Sequence, residues 1–188
     1  MHFTLADLVA DITQNGAESG ADLVELEVIE HHSVDKSEFR FTVKDNGKGM
    51  TAEELKRAQD PFFTDGIKHP RRKVGLGLPF LIQTAETSGG GWEMDSEKGK
   101  GTRVSAWVDL GNVDTPQAGD IPGLFRTVLL FNGPAEIVIR RFRDMPEGRF
   151  EYEVRKTELA DALGELETTQ SLILLDQYLR SLEGEDHG

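Results

Sequence analysis

One stretch constrains the fold more than any other, Asp45-Asn46-Gly47-Lys48-Gly49-Met50. It follows Phe39 to Val43, whose Phe-Arg-Phe-Thr-Val order alternates apolar and polar side chains as a half-buried strand does. A strand ending there hands a carboxylate to a turn that holds two glycines. Glycine admits positive φ and, lacking Cβ, lets backbone approach a ligand closely. An ionised carboxylate accepts hydrogen bonds and donates none, which suits an exocyclic amine such as that of adenine. Alone, Asn-Gly after a strand is also an ordinary turn; the stretches around it decide.

With 188 residues, 37% of them hydrophobic, there is material for one large domain or one domain with an addition. A net charge of −13 argues against general binding of nucleic acid or a membrane surface, since both reward positive charge. The absence of cysteine excludes disulfides, thiol catalysis and cysteine-ligated metal centres. The histidines show no metal-ligand spacing, and His31 and His32 are expected to lie exposed at a strand end. No apolar run reaches the length of a membrane span, and the first residues lack a signal peptide's order, so a cytoplasmic protein is expected.

Between Leu5 and Glu18, Leu5, Leu8, Val9 and Ile12 recur at helical spacing behind Thr4 as N-cap. Asp11 and Asn15 stand one turn apart on one side of that helix, and Glu18 continues the line. A mid-helix asparagine is a poor helix former. The line is either a solvated polar face or a carboxylate and an amide turned towards phosphates, the amide oxygen being a hard ligand for Mg2+. Gly20 ends the helix, and Leu23 to Glu30 pairs antiparallel with Phe39 to Val43. Thr51-x-x-Glu54 has the form of a capping box that opens a short helix to about Gln59, which Pro61 stops.

Asp65 to Val74 is basic and has no apolar period, with Lys68, His69, Arg71, Arg72 and Lys73. It reads as a solvated loop, or as a cover that brings positive charge to a triphosphate. Gly75-Leu76-Gly77-Leu78-Pro79-Phe80 then opens a helix, with Pro79 suited to its first turn. Glycines before a helix N-terminus offer N–H groups and a positive dipole end to phosphate. Trp92 to Asp95 and Thr102 to Val108 read as strands around the turn 96–101.

These stretches, in this order, resemble the GHKL superfamily (gyrase, the ninety-kilodalton heat-shock chaperones, histidine kinases and MutL) over roughly residues 4 to 109. Asp11-x-x-x-Asn15 with Gly16-Ala17 looks like the N box, and Asp45-x-Gly47-x-Gly49 matches the first glycine box. Pro61-Phe62-Phe63-Thr64 and Gly75-Leu76-Gly77-Leu78 look like the F box and second glycine box of histidine kinases. Gly99-Lys100-Gly101-Thr102 is similar to the closing Gly-x-Gly-Thr segment of those kinases. Each element alone is common; the ordered set is specific.

The resemblance implies an α+β fold, a two-layer α/β sandwich of the GHKL (Bergerat) type that holds ATP between helices and a mixed sheet, beneath a lid. It gives Asp45 the adenine amino group, with Thr102 reaching it through water, and Asn15 the Mg2+ against the phosphates. Gly47, Gly49 and Met50 would shape the base pocket, with Phe63 and Thr64 of the F box beside the nucleotide. Gly75, Leu76, Gly77 and Leu78 would meet the phosphate end, and 65–74 would be the lid. One of Lys68, Arg71, Arg72 and Lys73 would touch the γ-phosphate; spacing does not choose among them, and Lys73 is carried as the candidate.

Two departures stand out. Hydrolysing members of the family carry Glu where this chain has Asp11, the candidate base, and Asp is one methylene shorter. Histidine kinases place a helical hairpin with a phosphoacceptor histidine before this module, whereas three residues precede the first helical segment's cap here. The expectation is therefore a stand-alone Mg-ATP-binding module acting as an ATPase or as a kinase towards a partner protein. The alternatives are a non-catalytic ATP-dependent binding module, or a serine kinase of the anti-sigma-factor type.

For domains, 1–110 is expected to be the ATP-binding unit, 111–123 a linker and 124–188 a small β-β-β-α-α unit. Its strands would be Phe125 to Phe131, Glu136 to Phe142 and Arg149 to Arg155. A helix capped by Thr157 would carry Leu159, Leu163 and Leu166. Another, from about Thr168 to Leu182, would carry Leu172, Ile173, Leu175 and Leu179. The unit is expected to be a structural appendage completing the core; the Leu-rich last helix is the one support for the alternative, a partner-binding or homodimerising surface.

Overall fold

The computed structural model describes residues 3–60 and 77–184. Its helices are α1 (Leu5–Ala17), α2 (Ala52–Ala58), α3 (Gly77–Thr87), α4 (Ile121–Leu129), α5 (Lys156–Leu163) and α6 (Thr169–Leu182). Its strands are β1 (Leu23–His32), β2 (Ser37–Asp45), β3 (Gly91–Glu97), β4 (Gly101–Asp109), β5 (Glu136–Met145) and β6 (Gly148–Arg155). The fold is α+β, and the strands form one mixed sheet in the order β3-β4-β2-β1-β5-β6.

Local chemistry sets the element ends. The Thr4 hydroxyl accepts from the Asp7 amide while the Asp7 carboxylate accepts from the Thr4 amide, a reciprocal cap that starts α1. Thr51 and Glu54 do the same for α2. Gly20, at φ +80°, turns the chain out of α1 towards β1. In β1 and β2 the alternation becomes register: Val28 stands opposite Phe41 and Leu26 opposite Val43, all on one face.

That inner face is the core. Val24, Leu26, Val28, Phe39, Phe41, Val43, Val104, Ala106, Val108, Ile137 and Ile139 are all buried there, under Leu8, Val9 and Ile12 of α1. α3, α4 and α6 complete the helical layer. The opposite face is polar. Glu25 binds Lys44 at 3.7 Å and Arg140 at 3.0 Å, and the Arg40 guanidinium lies 4.6 Å over the Trp107 ring. Among the described residues no helix is long and apolar enough to cross a membrane.

The segment Phe125 to Phe131 is not a strand. It falls in and just after α4, whose buried Ile121, Leu124, Phe125, Val128 and Leu129 follow the helical period. Its aromatic and β-branched residues suggest a strand only when the start is overlooked. Asp120 caps that start by accepting from the Gly123 amide at 3.0 Å, and Pro122 sits in the first turn. The last third therefore begins with a helix. β5 then runs parallel to β1, with Ile139 opposite Leu26, and β6 pairs antiparallel with β5.

Three smaller expectations also change. Thr157 lies inside α5 rather than capping it, and its hydroxyl donates to Glu136. Leu166 is buried beyond the end of that helix, past Gly164. Ile173 faces outwards, 54% exposed.

An ionic cluster fastens the end of α6 to the sheet. The Arg141 side chain, 1% exposed, donates to Glu30 Oε2 at 2.7 Å and to Glu183 Oε1 at 3.0 Å. Tyr152 donates to the same Glu183 oxygen at 2.6 Å. The two histidines are partly buried members of this region, His32 against Glu30 at 2.6 Å and His31 against Asp144 at 3.1 Å. Burial raises the Glu30 pKa, but hydrogen bonds from His32 and Arg141 and the charges of Arg141 and Arg143 outweigh it, so the carboxyl titrates below its ordinary 4.5.

A depressed carboxyl contributes stability that is full above its unfolded value and lost as pH falls through the folded one. Removing Arg141 takes the most buried cation from Glu30 and Glu183 and leaves them His32, Arg143 and Tyr152, a loss of about 3 kcal/mol, the lower end for a broken buried pair. Urea unfolding of Arg141→Met at pH 7 should show a destabilisation of that order. The wild-type advantage over this variant should shrink as the pH drops below 4.5.

Candidate functional site

A cavity of about 960 Å³ opens between α1, the turn after β2, the start of α3 and the inner face of β3 and β4. That is at the upper end of small-molecule sites, roughly 300–1,000 Å³. Asp45 lies in its wall at the end of β2, where alternation from Phe39, Phe41 and Val43 turns its side chain inwards. It is 6% exposed. Its Oδ1 accepts from the Gly47 amide at 2.8 Å and lies 3.0 Å from the Ser19 hydroxyl. Its Oδ2 accepts no hydrogen bond among the described residues. Gly16 of α1 lies beside that oxygen, where a methyl group would sit 3.6 Å away in ordinary contact.

The turn itself is packed backbone to backbone. A methyl group on Gly47 would lie 1.9 Å from Ser19 Oγ; Gly47 does not line the cavity but holds Asp45 from behind. Gly49, at φ +57°, lies so close to the Glu97 carbonyl that a methyl group would overlap it at 1.9 Å. Asn46 ties the turn to β1 by accepting from the Asp22 and Leu23 amides, each at 3.0 Å. Ser96 accepts from the Met50 amide at 2.9 Å and bonds Thr102 Oγ1 at 2.9 Å. Thr102 stands opposite Asp45 in the β2–β4 register.

At the other end, Asp11 and Asn15 project from α1 into the cavity, and Gly77 and Leu78 close on them from α3. A methyl group on Gly77 would lie 3.6 Å from Asp11 Cβ and 3.9 Å from Asn15 Nδ2. The Asn15 side chain makes no hydrogen bond among the described residues, which leaves its amide to a ligand. Phe3 and Phe80 meet edge to face at 4.5 Å on the rim.

Asp11, Asn15, Asp45, Gly49, Met50, Gly77, Leu78 and Thr102 thus share one cavity. Phe63, Thr64, Lys73, Gly75 and Leu76, with the rest of the basic segment 65–74, lie outside the described residues. The described lining carries Asp11, Glu18 and Asp45 against Lys48 as its sole cation. No group of three or more histidine or carboxylate side chains among the described residues can hold a metal by itself.

Sequence reasoning missed Ser19 and Ser96. Ser19 was within reach, four residues beyond Asn15 on the same side of the chain. Ser96 follows from the alternation Trp92, Met94, Ser96 in β3.

Residues 3–112 match the family model "Histidine kinase-, DNA gyrase B-, and HSP90-like ATPase". Among curated proteins, the chain is similar to the sensor histidine kinase RcsC of Escherichia coli K12. The two are 29% identical over 99 residues, which is 52% of this chain and 10% of that one. It is also similar to the sensor kinase CckA of Brucella abortus, 40% identical over 82 residues, 44% of this chain and 8% of CckA. Sporulation kinase E of Bacillus subtilis is 37% identical over 70 residues, 37% of this chain and 9% of the kinase. The chain spans about a tenth of the length of these relatives. With the family model covering more than half of its residues, this chain belongs to the histidine kinase-, DNA gyrase B- and HSP90-like ATPases.

Proposed function

We propose that the cavity holds Mg-ATP, with the adenine amino group on Asp45 Oδ2 and the phosphates along Asp11, Asn15 and the start of α3. The observation that carries this is the half-satisfied carboxylate: one oxygen is held by protein donors while the other faces the cavity without one. Such a buried acceptor leaves a strong hydrogen bond for a ligand N–H. Thr102, opposite Asp45 in register, fits a place on the same edge of the base.

The Asn15 amide suits Mg2+, a hard ion that takes one or two protein oxygens and completes its shell with water and phosphate. Bound there, Mg2+ would neutralise phosphate charge. The chain's own contribution is to orient the phosphates along α1 and to supply further positive charge. Three lining carboxylates against one lysine cannot hold a triphosphate unaided, which supports a role for Lys68, Arg71, Arg72 or Lys73. All the described lining residues lie before residue 105, so 1–110 is proposed as the nucleotide unit, the expected linker 111–123 running into α4 at Ile121.

Phosphoryl transfer to water or to a partner protein is the proposed activity, driven by positioning and charge neutralisation. Asp11 is the proposed base, its reach limited by the short side chain. A binding module that uses ATP without turning it over is the second reading, favoured by that same shortness. Asp45→Ala should weaken ATP binding roughly ten- to a hundred-fold, the worth of a hydrogen bond to a charged group, in calorimetric titration. Unchanged affinity would remove the whole reading. Asp11→Asn should abolish phosphate release while binding survives; a variant as active as the wild type would leave Asp11 no part in the chemistry.

A protein partner belongs to the same proposal, a second copy of the chain being the form that α6 supports. Its outward positions Gln170, Ile173, Leu174, Gln177, Tyr178 and Ser181 are all exposed and none is charged, in a chain of net charge −13. Antiparallel pairing about a two-fold axis between Leu174 and Gln177 would set Ile173 against Tyr178 of the other copy without opposing like charges. Sedimentation should show a dimer for the wild type and a folded monomer for Ile173→Lys; a monomeric wild type at high micromolar concentration would exclude it.

A further inference from the structure

Taking the cavity as the ATP site proposed above, we infer that Ser19 is the positioning residue that makes Asp45 selective for a purine 6-amino group. Ser19 follows the end of α1, its amide donating to the Gly16 carbonyl at 3.2 Å. Three features tie it to the glycine turn. Its hydroxyl lies 3.0 Å from Asp45 Oδ1, and its carbonyl accepts from the Lys48 amide at 3.1 Å. Its Oγ also occupies the space that a side chain on Gly47 would need.

The hydroxyl carries one proton and has two acceptors in reach, the Gly16 carbonyl at 2.7 Å and Asp45 Oδ1 at 3.0 Å. The ionised oxygen is the stronger of the two. With the Gly47 amide at 2.8 Å, Oδ1 then has two donors converging on it from different elements. The carboxylate torsion of an aspartate is intrinsically broad. Two donors on one oxygen fix its plane, and so fix where the lone pairs of Oδ2 point. An amino group at the purine 6-position meets that direction with an N–H. A 6-oxo group meets it with a second acceptor, and a bare C–H with no donor.

Ser19 thus extends the line of Asp11 and Asn15 from the phosphate end to the base end. The turn after α1 serves the base, while the helix itself serves the phosphates.

Binding of ATP, of purine riboside triphosphate (which lacks the 6-amino group) and of ITP, each with Mg2+, tests this in the full chain by calorimetry. The wild type should prefer ATP over both analogues. Ser19→Ala, with folding checked by its thermal melt, should weaken ATP about five- to ten-fold and leave the deamino analogue within about two-fold, collapsing the preference. Ser19→Thr, which keeps the hydroxyl, should restore it. Equal weakening of all three ligands would make Ser19 a packing residue only, and an undiminished preference would remove its role; both overturn the inference while ATP binding stands. A wild type that binds no ATP overturns the reading of the cavity, and the role of Ser19 with it.

Discussion

A carboxylate stands where the pattern of a core strand calls for an apolar side chain. In β2 the inward positions run Phe39, Phe41, Val43 and then Asp45, the last on the same buried face as the others. An ionised group buried there requires hydrogen bonds. The Gly47 amide and the Ser19 hydroxyl supply them, both to Oδ1. Only half of the need is met from within the protein, and the unmet half faces the cavity.

The parts of the fold that position this residue were legible because their signals are local. Thr4 with Asp7, and Thr51 with Glu54, announce helix starts through side chains that cap them reciprocally. The alternation from Leu23 and from Phe39 marks two strands, which pair antiparallel as expected. Asp11 and Asn15 share a side of α1 because four residues make one turn, and the structure sets Gly77 against both.

What was not legible depends on partners distant in sequence. Phe125 to Leu129 carries residues that suit a strand when taken without the local start at Asp120 and Pro122, and the packing of this helix against the core with Ile137 and Ile139 is set far along the chain. Nothing in Glu136 to Met145 announces that it will lie parallel to β1, more than a hundred residues earlier. The spacing from Asn15 and the alternation in β3 place Ser19 and Ser96, but their roles escaped because each gains its meaning from the turn folded against it.

The placement of β5 beside β1 has a consequence for the unit shared with the sensor kinases. β1 is interior to the sheet, with Val24, Leu26 and Val28 buried and β5 covering its far side. A fragment stopped at residue 112 would uncover the edge of β1 from Leu23 to His31 beside an apolar face, the kind of unprotected margin on which foreign chains accrete. In this chain the family-matched residues 3–112 and the strands that follow them are bound by solubility as well as by shape.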